Sequence, residues 1–349
     1  MSNSTKLAAQ NQKPLGVSII CCTYNGKNRL QKTFDGIRNL IYDEDWEFIL
    51  VDNNSNDGTT DFAKSYLHES NIVFKLLQCP TPGKNFALWM AFEAVNYRYI
   101  LICDDDNQLF PDYLATGVDI LEKNSNIGAM GGIGIMPDDI SKPEWFDRYQ
   151  LTYAIGSQAK KNGSIPKGWG LYGAGCFLRE SGIRKLIELD LKITSTVSRG
   201  KELSGGEDIE ICLALECLGF SSWFDENLKF YHHIEEQRLR WDYLLKLKSS
   251  IASNFPILEP YRFVISGESG SYLVFVLKQI PSLIWNFAFI QIVYFLRPQP
   301  KNKVFRIIYQ YQMKGLFKNF RRSLNAFQKI KPIFLLNLNY IEKESTLCD

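Results

Sequence analysis

Three consecutive carboxylates, Asp104, Asp105 and Asp106, followed by Asn107, form the densest concentration of chemistry in the chain. They end an apolar run at residues 99–103 and precede a helix-like segment opened by Pro111. Adjacent like charges repel one another, which makes a bare triplet a poor choice at the end of a strand. A divalent cation relieves that repulsion, and Mg²⁺ or Mn²⁺ takes carboxylate oxygens together with the phosphate oxygens of a substrate. The bland alternative is a solvated acidic turn. A second acidic pair, Glu207-Asp208, follows Gly205-Gly206 at the start of another helical pattern. Helix dipoles favour acids there in any protein. A functional reading makes one of them a general base toward a hydroxyl, with its pKa adjusted by burial or neighbours. His232 and His233, two of only three histidines, follow the apolar run 222–230, and Arg238 and Arg240 lie just beyond. Imidazole is a common metal ligand. Guanidinium groups can stabilise a departing diphosphate through charge-assisted hydrogen bonds.

The elements that must position these groups alternate in type. Short apolar runs at 17–22, 47–51, 72–79 and 99–103 read as strands, and segments 27–40, 59–67, 85–95 and 111–123 carry helical spacing. That alternation implies an α/β fold with a mainly parallel sheet covered by helices on both faces. Ligands bind beyond the carboxyl ends of such strands. Thr23-Tyr24-Asn25, the turn 52–57 and Asp104–Asn107 all fall at that edge. Residues 128–175, rich in Gly, Pro and aromatics, read as irregular site-forming structure, and 207–218 as a further helix.

Composition sets the outer limits. The chain has 349 residues, 45% of them hydrophobic and 22% charged, so a sizeable core is expected. A formal net charge of +2 argues against a nucleic-acid partner. Residues 1–14 are polar and lack the apolar centre of a secretory signal. Eight cysteines without CxxC or metal-ligand spacing suit a reduced, cytoplasmic compartment. Residues 271–296 are dense in apolar and aromatic side chains, and Lys278, Gln279, Ser282 and Asn286 fall within about a third of a helical turn. A polar stripe opposite a broad apolar face suits a helix lying in a membrane interface better than one crossing it. The next segment, 297–331, holds ten Lys/Arg and no Asp or Glu, suited to anionic headgroups.

In order and spacing, 17–25, 48–59, 99–111, Gly173-Ala174-Gly175 and Gly206-Glu207-Asp208 resemble glycosyltransferase family 2, inverting enzymes with the GT-A (Rossmann-like) fold. The resemblance covers about 15–240. It implies that Thr23, Tyr24 and Asn25, with Asn54, line a nucleotide pocket and that Asp52 binds the base, uracil by similarity. It implies that Asp106 ligates Mg²⁺ or Mn²⁺, with Asp104 and His232 as further ligands, and that Asp104 or Asp105 holds the ribose. It makes Asp208 the base, with Glu207 facing the acceptor and Arg238 and His232 contacting the diphosphate. Gly83-Lys84-Asn85 stands where family members carry an Ala-Arg-Asn-like segment. Gln237–Trp241 spells the QxxRW pattern of processive synthases, which have several flanking transmembrane helices; this chain has one candidate span, so a single sugar per cycle is expected.

The expected organisation is a tail at 1–14, a glycosyltransferase domain at 15–240 (nucleotide half 15–125, acceptor half 126–240) and a helical region at 241–349. The expected function is transfer from a nucleotide sugar, a UDP-sugar by similarity, to a saccharide or lipid-linked saccharide in bacterial surface polysaccharide or glycoconjugate synthesis. The expected place is the cytoplasm, peripheral or monotopic on the inner membrane. The rivals are a nucleotidyltransferase that makes nucleotide sugars and an inactive membrane-peripheral scaffold. The first lacks its glycine-rich basic loop after the first strand, and the second leaves the intact acidic groups without a use.

Overall fold

The computed structural model describes residues 13–70, 72–191, 205–268 and 270–345. Four parallel strands open the fold: β1 (Val17–Thr23), β2 (Trp46–Asp52), β3 (Phe74–Gln78) and β4 (Tyr99–Ile102). Helices α1 (Leu30–Arg38), α2 (Thr59–Glu69) and α3 (Lys84–Ala94) connect them. Alternation along each strand divides its side chains between two cores. Ile20, Ile49, Ile100 and Ile102 face one core, and Ile19, Phe48, Leu50 and Leu101 face the other. Burial on both faces explains why these strands read as unbroken apolar runs.

After the acidic triplet come β5 (Asn107–Leu109), α4 (Tyr113–Lys123), β6 (Ile127–Ile135), the short α5 (Phe146–Tyr149), β7 (Gly163–Ser164) and β8 (Cys176–Arg179). Then follow α6 (Glu180–Glu188), α7 (Glu207–Cys217) and β9 (Ser221–His232). The strands make one nine-stranded mixed sheet in the order β3-β2-β1-β4-β8-β6-β9-β5, with β7 added against β9. The fold is therefore the expected α/β sheet flanked by helices.

One expectation fails. Residues 128–175 are not irregular throughout: β6 crosses the centre of the sheet, pairing with both β8 and β9. Its sequence, Ile-Gly-Ala-Met-Gly-Gly-Ile-Gly-Ile, hides a strand because glycine weakens the strand signal. The glycines permit close packing, since a Cβ on Gly132 would run into the Leu228 carbonyl oxygen and one on Gly134 into that of Ala154.

Three long helices complete the described chain: α8 (Trp241–Ile265), α9 (Tyr272–Leu296) and α10 (Pro300–Ser345). Helix α10 crosses α8 at Gly315, where an added Cβ would strike the Ser253 backbone, and Asn319 donates to the Ser253 carbonyl at 3.0 Å. Seven cysteines are free thiols among the described residues.

Candidate active site

The ends of β1 and β2 are knitted together by polar side chains. Asn25 and Asn54 both take left-handed backbone conformations, with φ of 48° and 68°. The Asn25 N–H donates to Ser55 Oγ (2.8 Å), and Asn25 Oδ1 accepts from the Asn56 N–H (2.9 Å). Tyr24 is exposed beside them, Asn54 is exposed, and Thr23 is buried. Asp52 is occupied locally. Its carboxylate accepts from the Ser55 N–H at 2.9 Å, from Thr60 Oγ1 and from Gln78, capping the turn into α2. Burial works to raise its pKa, but these hydrogen bonds outweigh it and hold the carboxyl below the usual range. The structure thus gives Asp52 a turn-holding role that its reading as a base contact did not include.

Asn53 is the residue that sequence reasoning passed over here. Its amide donates to the Thr81 carbonyl (2.7 Å) and accepts from the Gly83 N–H (2.7 Å). It thereby delivers Lys84, the first residue of α3, to the acidic triplet.

Each member of that triplet has its own protein cation. Asp104 pairs with Lys84. Asp105 pairs with Arg29 (2.7 Å) and accepts from Thr23 Oγ1 (2.6 Å). Asp106, 3% exposed, pairs with Arg238 (2.6 Å) and with His232 Nε2 (3.1 Å). Burial of Asp106 opposes ionisation, yet His232 and then Arg238 override it and hold the carboxyl far below the ordinary carboxylate range. The backbone sets up this meeting. β5 pairs antiparallel with the end of β9, placing Asn107 opposite His232, and the His233 N–H donates to the Asp106 carbonyl (2.8 Å).

Two expectations change as a result. Asp105 serves the scaffold, since Arg29 also donates to the carbonyls of Tyr24 and Asn25 and so ties the first loop to the triplet. Asp104, Asp106 and His232 do not form a metal cluster; no group of three His, Cys, Asp or Glu side chains among the described residues is placed to hold a cation. Asp104 is turned to Lys84 instead. What remains is a pair, Asp106 and His232, and the buried His232 Nδ1 has no hydrogen-bond partner. Such an orphaned polar atom is what an absent ion or water explains. Mg²⁺ is usually held by one or two carboxylates together with substrate phosphates and water. As arranged, both Asp106 oxygens are taken, Oδ1 by His232 Nε2 and Oδ2 by Arg238, and the free His232 Nδ1 faces away from the carboxylate, so a cation would need the His232 ring or Arg238 to shift before both residues could hold it.

Below the triplet lies a cavity of about 370 Å³ that gathers the remaining residues. Lys84, Asp104, His232, Arg238, Glu207 and Asp208 all line it. Asp208 stands in the first turn of α7, after Gly206, whose φ of +101° suits glycine. Its Oδ2 accepts from the Gly173 N–H (2.7 Å) and its Oδ1 from its neighbour Ile209 (2.9 Å). Burial, then repulsion from Glu207, pushes its carboxyl up to about 6. Lys84 holds its proton well above the lysine range: burial works against this, but Asp104 and Glu207 prevail. Trp169, 65% exposed, forms part of the cavity rim. Its backbone is pinned from below, where Gly168 accepts from Arg262 (3.1 Å) and donates to Glu216 (2.9 Å), and Gly170 packs on Ile209.

The chain is similar in sequence and fold to known glycosyltransferases. The model of glycosyl transferase family 2 matches residues 18–186. A Bacillus subtilis glycosyltransferase named for teichuronic acid biosynthesis is 27% identical over 129 residues, 37% of this chain and 50% of its own length. The chain therefore spans about half of that relative. The glucosyl-dolichyl phosphate glucuronosyltransferase of Haloferax volcanii is 22% identical over 236 residues, 66% of this chain and 72% of its own. Among solved structures, a Pyrobaculum calidifontis mannosyltransferase in complex with GDP-Man and Mn²⁺ shares the fold with a TM-score of 0.51. It is 15% identical, and the alignment covers 89% of this chain and 88% of that one.

Proposed function

Residues 18–186 match the model of glycosyl transferase family 2, and we propose that this chain moves a sugar from a nucleoside diphosphate donor to a hydroxyl of a saccharide or lipid-linked saccharide. The observation that carries the reading is Asp208, a half-buried carboxylate with its pKa near 6, facing one cavity with the cations Lys84 and Arg238. A base poised near the working pH is what proton abstraction from an alcohol needs. The acceptor O–H gives its proton to Asp208. The freed oxygen forms a bond to the anomeric carbon while the bond from that carbon to the phosphate oxygen breaks, so configuration inverts in one displacement. The electron pair leaves with the nucleoside diphosphate, and Arg238 and Lys84 stabilise its charge. Asp106, with His232, would be the residues to hold Mg²⁺ or Mn²⁺, which would supply Lewis-acid stabilisation of that charge. Glu207 keeps the pKa of its neighbour up.

The donor loop is Thr23-Tyr24-Asn25 with Asn54, and exposed Tyr24 offers a ring to a base. The base is uracil on family resemblance. On the acceptor side, Trp169 presents a flat, exposed ring at the rim, suited to the apolar face of a pyranose. The acceptor is a surface polysaccharide or glycoconjugate intermediate, met at the inner face of the membrane, supported by the exposed apolar helix α9.

The test is Asp208→Asn. Sugar transfer to a lipid or glycan extract from the source cells is expected to fall by about 10²–10⁴-fold, with donor affinity unchanged by calorimetry. Transfer at the wild-type rate would remove Asp208 from the mechanism.

A further inference from the structure

Helix α9 is built inside out for a protein in water. On its inner side, the Tyr272 hydroxyl meets Ser323 Oγ of α10 at 2.5 Å, and its ring stacks on Phe327 at 4.7 Å. Gln279 donates to Glu259 of α8 at 3.1 Å. With Ser282 and Asn286 it lines a cavity of about 220 Å³ between the three helices. The outer side carries Leu277, Ile284, Trp285, Phe289, Ile292 and Phe295, all exposed, Trp285 by 71% and Phe295 by 86%. Only 11% of the most apolar 18-residue window of this helix is buried. A continuous aromatic and aliphatic stripe of this kind calls for a covering phase.

Charge says which phase. On α10, Lys301, Lys303, Arg306, Lys314, Lys318, Arg321 and Arg322 are exposed, and Phe317 stands among them at 77% exposure. No acid lies between 297 and 331 to offset them. A second copy of the chain would bring this basic set against itself. Anionic phosphates match it.

We propose that α9 lies in the plane of an anionic bilayer without crossing it, its outer face sunk to the headgroup–acyl boundary and the cations of α10 on lipid phosphates. Crossing would drag Gln279, Ser282 and Asn286 into hydrocarbon and strip Glu259 of the Gln279 bond, a costly exchange. Lys278 is exposed on the outer side, near the helix start, and there its long stem can carry the ammonium to the headgroups. The mode has a consequence for the acceptor, and this part rests on the transferase reading above. Along α8, Leu247 and Ile251 line the catalytic cavity, and Phe255 and Glu259, continuing at four-residue spacing, line the cavity beneath α9. One helical ridge joins the active site to the bilayer-facing helix, so a lipid-linked acceptor can reach Asp208 without leaving the membrane.

The test uses the full chain and vesicles of phosphatidylcholine, alone or with phosphatidylglycerol. Co-sedimentation with the anionic vesicles only, reversed by salt, is expected. The triple change Lys318→Gln, Arg321→Gln, Arg322→Gln should weaken partitioning by about a hundredfold, and Trp285→Glu with Phe289→Glu should abolish it. The fluorescence difference between wild type and Trp285→Phe should be quenched most by lipids brominated near the headgroup. Strongest quenching by lipids brominated at the chain end would show a crossing helix and overturn the proposal. Absence of vesicle binding, with or without a concentration-dependent dimer in sedimentation velocity, would overturn it as well. Nucleotide binding by the same samples, followed by calorimetry, reports separately on the transferase reading.

Discussion

Asp208 receives two backbone hydrogen bonds that favour its charge, yet burial and Glu207 outweigh them. Its carboxylate form is the base, so protonation removes activity. Below about pH 6 the fraction in that form falls tenfold per unit, and kcat/KM should fall with it, levelling above. Lys84 pulls the same pKa down, so Lys84→Met should move the acid limb to higher pH. A profile that stays put in this variant would separate Lys84 from the base. Trp169→Ala should raise the acceptor KM about tenfold or more while leaving the donor dissociation constant alone, on the view that a well-placed aromatic contact contributes one to a few kcal/mol; Trp169→Phe should restore most of the loss. Equal effects on donor and acceptor would place Trp169 outside the acceptor wall.

At the scale of elements, the site depends on backbone that side chains cannot enter. Gly173 lies against Asp208, and a Cβ there would sit 3.1 Å from that of the base. Gly173→Ala should therefore cut turnover with little change in the denaturation midpoint. Gly132→Val does the opposite: its side chain collides with the Leu228 backbone in the centre of the sheet, and a loss of about 1–3 kcal/mol is expected in urea unfolding. The parallel strands were legible because double-sided burial writes them as apolar runs, and the acidic loops because they end those runs. β6 was not legible, since a strand chosen for close approach is written in glycine. Nor were two of the triplet's partners, although His232 and Arg238 were. Arg29 and Lys84 look in sequence like ordinary residues near helix starts; only the sheet order brings β1, α3 and β9 together around Asp104–Asp106. A signal was present all the same, in three carboxylates that required counter-ions and a Gly-Lys pair opening α3.

Across the whole molecule, a net charge of +2 conceals one strong asymmetry, ten Lys/Arg and no Asp or Glu between 297 and 331, while each carboxylate of the triplet has its own protein cation. That basic segment matches the proposed phosphate-bearing surface, and Lys84 and Arg238 match the proposed phosphate-bearing donor. The donor is the more basic claim, and calorimetric titration of the purified chain with UDP, GDP and CDP, with and without Mn²⁺, tests it most directly. One nucleoside diphosphate should bind tightly and only with the metal, and Asp106→Asn should abolish the metal dependence. Binding of none of the three under either condition, or binding indifferent to both Mn²⁺ and Asp106, would contradict a donor site at the acidic triplet.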